Sequence, residues 1–241
     1  MNPILPGWAD EMRDLFKSGS VSQFMLHGNV FDVVPAPGSP EPRQLSLSAF
    51  LDEVMFENYP VILHYDRGKG IRATRGGEDW GDWVRNALGD QAASMVPLRE
   101  PGAAMELIDR YLLRSLNLQS LRGGEGGPGR IAVIIDFAEF VVPRGDPLQL
   151  GGAFSSNVVK VLGWANDPGI RRSDIVTVLI AEGLHDLNSL VVENPHAASL
   201  NIPLPGEEDM AAYVRMLART SLPELPEKSD VPVEVLGRRL T

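Results

Sequence analysis

The chain has 241 residues, 44% of them hydrophobic, enough to bury a sizeable core. Its formal charge of −10, from 22 basic against 32 acidic residues, gives no general attraction for phosphate backbones and sets nucleic acid aside as a leading partner. With no cysteine, disulfides, thiolate metal sites and cysteine nucleophiles are excluded. No apolar run approaches the roughly 18 residues a membrane-spanning helix needs. The start, Met1-Asn2-Pro3-Ile4-Leu5-Pro6-Gly7, lacks the basic and apolar regions of a signal peptide. These features predict a soluble cytoplasmic protein.

Taken in chain order, Trp8, Met12, Leu15 and Phe16 have helical spacing that Gly19 ends. A strand is predicted from Val21 to Leu26, stopping at His27-Gly28-Asn29. Residues 35–43 hold four prolines and read as a surface loop. A helix follows from Ser46 to Glu57, with Leu47, Phe50, Leu51 and Val54 on one face. Pro60 to Tyr65 is a buried-strand candidate, and Ile71 to Thr74 a short hairpin return. Asp79 to Leu88 and 101–120 read as helices, the second starting at Pro101 and striped by Met105, Ile108, Leu112 and Leu116. The glycine-rich stretch within 122–130 reads as a mobile loop.

Ile131-Ala132-Val133-Ile134-Ile135-Asp136 is the organising stretch: five apolar residues, four of them β-branched, closed by an acid. Such a run predicts a strand buried on both faces. Open α/β sheets bind ligands at the carboxyl ends of their strands, and in P-loop NTPases an Asp there holds Mg²⁺. Beyond it a helix is predicted over Ala153–Ala165 and a strand over Ile175–Ala181, ending at Glu182-Gly183. A short turn or helix over Leu187–Val192 and a strand over Ala198–Ile202 follow. A helix then opens at Pro205-Gly206-Glu207-Glu208. Strands alternating with helices predict an α/β, three-layer sandwich around a mostly parallel sheet.

Two segments carry a resemblance. Ile175–Met210 places a buried strand, a polar turn at Asp186-Leu187 and a short helix before Leu200-Asn201-Ile202-Pro203-Leu204-Pro205-Gly206-Glu207-Glu208. The Ile-Pro-Leu-Pro phrase with its acidic pair resembles the last strand and helix start of an AAA+ ATPase large subdomain. Ile131–Asp136 resembles Walker B of that family, and Val231–Arg239 resembles the entry to its helical lid. The resemblance implies a large subdomain over residues 1–220, then a linker and the start of a truncated lid over 221–241.

The departures are as informative. A P-loop requires Gly-x-x-x-x-Gly-Lys-Ser/Thr. Of the 22 basic residues only Lys17, Lys69, Lys160 and Lys228 are lysines, and none has that context. Phe16 and Glu11 stand at the glycine positions of Lys17, and Glu227 and Leu222 at those of Lys228. Gly70 follows Lys69, and Val159 precedes Lys160. Phe137 stands where active members of the family carry a catalytic Glu, and Val191–Leu200 has no arginine finger.

The resemblance therefore implies a degenerate AAA+ domain, an assembly or partner-docking module of a larger ATPase. The alternative is an ATP- and Mg-binding ATPase with a nonstandard phosphate loop and slow hydrolysis. The candidate nucleotide site is His27, Gly28, Asn29, Asp136 and Glu182, with Asp136 as candidate Mg ligand. Partners implied are another protein or copies of this chain in a ring. Each residue has a plainer reading: a strand exit for His27-Gly28-Asn29, a turn cap for Asp136, an exposed strand-end acid for Glu182. Trp80 and Trp83 fit core packing or an aromatic pore loop. Arg67, Lys69, Arg72 and Arg75 fit a solvated hairpin or a subunit contact.

Overall fold

The computed structural model describes residues 5–37, 43–89, 98–121, 129–146, 148–232 and 235–236. Much of the proline loop, the glycine-rich stretch and the end of the candidate lid lie outside them. The chain divides into two units. The described residues of the first run to Ile202, and the second holds residues from Pro203 onward.

The first unit is built on eight strands among the described residues: β1 (Gln23–Gly28), β2 (Val33–Pro35), β3 (Gln44–Ser46), β4 (Val61–Asp66), β5 (Gly70–Arg75), β6 (Arg130–Ile135), β7 (Asp174–Ile180) and β8 (Ala197–Ile202). Six form one sheet in the order β5-β4-β6-β7-β1-β8, and β2 and β3 form a separate antiparallel pair. All neighbours in the large sheet are parallel except β4 and β5. This is the α/β, mostly parallel architecture the alternation of elements predicts.

β6 shows why the sheet has two covered faces. Ile131, Val133 and Ile135 point into one apolar layer, while Ala132 and Ile134 point into the other. The first layer is closed by α3 (Gly77–Leu88), α4 (Pro101–Leu121), α5 (Gly152–Asn166) and α6 (Pro168–Arg172). Trp80 and Trp83 are buried there, each edge-on to Tyr111 with ring centroids 5.1 Å apart, so both tryptophans are core residues. The second layer is closed by α1 (Gly7–Lys17) and α2 (Leu47–Phe50), through Trp8, Met12, Leu47 and Phe50.

Local chemistry explains the boundaries. Ser46 accepts from the Ala49 amide and caps α2. The predicted helix over Ser46–Glu57 continues past Phe50 as a wide π turn, Leu51–Met55, with the Phe56 amide bonded to the Leu51 carbonyl. Arg75 closes that turn, its Nη1 donating to the carbonyls of Phe56, Glu57 and Tyr59 at 2.7, 2.7 and 3.1 Å. Arg72 pairs with Asp66 at 2.9 Å. Two members of the basic cluster thus have work inside the fold.

β1 runs two residues beyond its expected end, because His27 and Gly28 pair with Asn201 and Ile202 of β8. α6 is an element that periodicity did not predict. Its signal was present in Asp167-Pro168: the Asp167 carboxylate accepts from Gly169 and Ile170, and Pro168 sits at the helix start. A further short helix, α7 (Ser189–Val192), is capped by Asn188.

In the second unit, α8 (Glu207–Thr220) begins with Glu207, Glu208 and Asp209, and the Asp209 carboxylate accepts from the Gly206 amide at 3.0 Å. A short α9 (Leu225–Lys228) follows. No described helix is long and apolar enough to cross a membrane.

Candidate functional site

The carboxyl ends of β4, β6 and β7 and the start of α2 surround a cavity of about 420 Å³. Ser48, Asp52, His64, Asp136, Phe137 and Glu182 are among its lining residues. Two of the five candidate nucleotide-site residues, Asp136 and Glu182, therefore share this wall. His27, Gly28 and Asn29 lie at the end of β1 and are not among the lining residues.

The end of β1 is closed by its own backbone. The Gly28 amide donates to the Glu182 carbonyl at 3.0 Å, the Asn29 amide to Ile202 at 2.9 Å and the Val30 amide to Gly28 at 2.8 Å. Gly28 has φ +93°, and a Cβ there would lie 2.6 Å from Asn201 Oδ1 and 2.7 Å from the Ile202 carbonyl. Only glycine fits. The Asn29 side chain donates to Asp32 at 3.1 Å. His27 is half-buried, and burial lowers its pKa.

The end of β6 is closed by side chains. Asp136 accepts from Ser48 Oγ at 3.3 Å, and His64 Nδ1 lies 3.5 Å from its other oxygen. His64 Nε2 lies 2.7 Å from Asp52 Oδ1. His64 is 2% exposed, at the centre of β4, while Asp52 comes from the π turn. Ionised carboxylates only accept, so the ring donates to both acids only as an imidazolium. Burial pulls the imidazole pKa down. The hydrogen bonds and charges of Asp136 and Asp52 outweigh that, and the pKa is raised to about 9.

Phe137, directly after the strand-end acid, has φ +53°, the one positive φ outside glycine among the described residues. Such strain typically costs about 1–3 kcal/mol. The conformation carries the chain into a 3₁₀ turn, Ala138–Phe140, and leaves the Phe137 ring exposed 5.5 Å from that of Phe31. Glu139 lies on that turn. Burial raises its carboxyl pKa against a backbone hydrogen bond, and Asp186 and Glu182 add to the rise.

Asp52, His64 and Ser48 are the residues that sequence reasoning missed. The available signal was the imidazole in Val61-Ile62-Leu63-His64-Tyr65, a polar ring in a run that must be buried on both faces. Its partners stand 12 and 72 positions away, at spacings that no local pattern reveals.

The sheet order and the strand-end site define an α/β domain of the Rossmann-like kind found in AAA+ proteins. The family described as AAA+ chaperone, N-terminal Rossmann-like domain, matches residues 2–203, and the chain belongs to it. No curated protein matches. Among solved structures, a chain of the E. coli MS115-1 HORMA:CdnC:Trip13 complex is similar at 16% identity and a TM-score of 0.48. The similarity covers 96% of this chain and 64% of that chain. This chain therefore spans less than two thirds of that relative's length.

Proposed function

We propose that this domain is a non-hydrolysing member of the AAA+ family that serves a larger ATPase as an assembly or partner-docking module. The observation that carries the reading is the internal commitment of both halves of the candidate nucleotide site. A phosphate cradle needs free backbone amides and a lysine. Here the Gly28, Asn29 and Val30 amides are bonded to carbonyls. A magnesium site needs an open carboxylate, and Asp136 is engaged by Ser48 and His64. These residues do not fit a magnesium nucleotide.

The alternative, a slow ATPase working through the Gly28–Asn29 turn, requires those amides to leave their partners. Phosphate release from ATP tests the two readings. The proposal expects no turnover above a blank, and turnover that disappears in Asp136→Ala contradicts it. The assembly role is supported by the exposed Phe31 and Phe137 rings, 64% and 44% accessible, which both line the cavity. Sedimentation velocity is expected to show reversible self-association that Phe137→Asp weakens. A monomer at every concentration contradicts assembly between copies of this chain.

A further inference from the structure

The AAA+ family implies a divalent cation beside the acid that ends β6, and the side chains around Asp136 already hold a charge of that sign. The geometry points to the imidazolium of His64 as the resident cation of this site, neutralising Asp136 and Asp52 and keeping a divalent ion out.

Three observations converge on this. First, each ring nitrogen faces an acid, at 2.7 Å for Asp52 and 3.5 Å for Asp136. The two carboxylates come from different elements, the π turn after α2 and the end of β6, so a single cation ties both to β4. Second, the ring is buried while the acids keep part of their surface, with side-chain exposures of 2% for His64, 19% for Asp52 and 17% for Asp136. A buried charge in that position persists only when it is paired and hydrogen-bonded. Third, the hydroxyl that would complete a metal's ligand set is also engaged, since Ser48 Oγ donates to the second oxygen of Asp136.

The other charged groups of the cavity wall are Asp66, Lys69, Arg72 and Glu182. Arg72 is paired with Asp66 at 2.9 Å on the hairpin of β4 and β5. Lys69 lies on that hairpin, and Glu182, after β7, adds negative charge. Removing the imidazolium leaves Asp52 and Asp136 without the cation that lies against both of them, in a cavity open to ions. Buried carboxylates in that condition protonate or recruit a cation.

The inference rests on the functional reading above and fails separately from it, because its readout is metal uptake without nucleotide rather than turnover. Mn²⁺ is titrated into the full 241-residue chain, with the free ion followed by electron paramagnetic resonance. The wild-type protein is expected to leave the free-ion signal unchanged. His64→Gln is expected to deplete it, and adding Asp136→Asn is expected to restore it. Uptake by the wild type that Asp136→Asn abolishes would overturn the inference, as would a folded His64→Gln protein that takes up no Mn²⁺. A measurement free of folding defects is the nitrogen-15 spectrum of the wild-type ring at neutral pH. Protons on both nitrogens of His64 are expected, and a singly protonated imidazole overturns the assignment.

Discussion

The ends of β1 and β6 lie two strands apart in one sheet and are closed in opposite ways. At β1 the backbone closes on itself: three successive amides find carbonyls, and a glycine lets β8 approach. At β6 the closure is made by side chains, with two carboxylates, a hydroxyl and a buried imidazole drawn from α2, the π turn, β4 and the end of β6. Backbone closure is indifferent to pH and to most substitutions, and fails only where the chain must pass through a conformation that needs glycine. Side-chain closure depends on protonation and on each partner. The two strand ends are thus closed by different chemistry.

The contrast is broken most severely at Gly28. Gly28→Val forces a β-branched residue to φ +93° and drives its Cβ against Asn201 and the Ile202 carbonyl. Strain of about 1–3 kcal/mol and overpacking of about 1–3 kcal/mol are expected to add, read as a lower urea midpoint. Next comes His64→Gln, which removes the ring that lies against both acids. Removing one partner of a buried pair costs about 3–5 kcal/mol. The loss is expected near the lower end, because both carboxylates keep some contact with water.

The pH dependence sharpens the same difference. The folded pKa of His64, about 9, lies above its ordinary value of 6.5. The folded state therefore binds the proton more tightly than the unfolded state. The stabilisation from His64 is fully present below pH 6.5 and is lost as the pH rises through about 9. Denaturation midpoints across that window should fall for the wild type, and the fall should be smaller in His64→Gln. The smallest effect is expected at Phe137→Gly. Relief of the positive φ, worth about 1–3 kcal/mol, is offset by glycine's extra chain entropy of about 0.5–1 kcal/mol and by the lost contact with Phe31. The melting temperature should move little, and upward if at all.

Periodicity exposed the sheet because its strands are short apolar runs between turn residues, as in Ile131–Ile135 and Ile175–Ile180. It also exposed α4 and α8, whose stripes are long. The separate hairpin of β2 and β3 was hidden because prolines suppress the strand signal. Pro35 nevertheless ends β2, an edge position where a missing amide costs little. The strand-end acid was legible for the same reason as β6, since a charge after five apolar residues stands out. Its partners were not. Asp52 reads as one more acid on the polar face of an amphipathic helix, and His64 as an interruption of a strand. Only the fold brings them within hydrogen-bond reach. At the β1 end, Gly28-Asn29 has the residue types of a phosphate turn, whereas the pairing with β8 that takes up the Asn29 amide is a long-range fact that no local pattern carries.

The central claim is that this domain's nucleotide site is closed from within. Calorimetric titration of ATP with Mg²⁺ into the purified chain tests it most directly. Heat indistinguishable from dilution is predicted. Saturable binding at micromolar affinity, about −8 kcal/mol, weakened by Asp136→Ala, would contradict it.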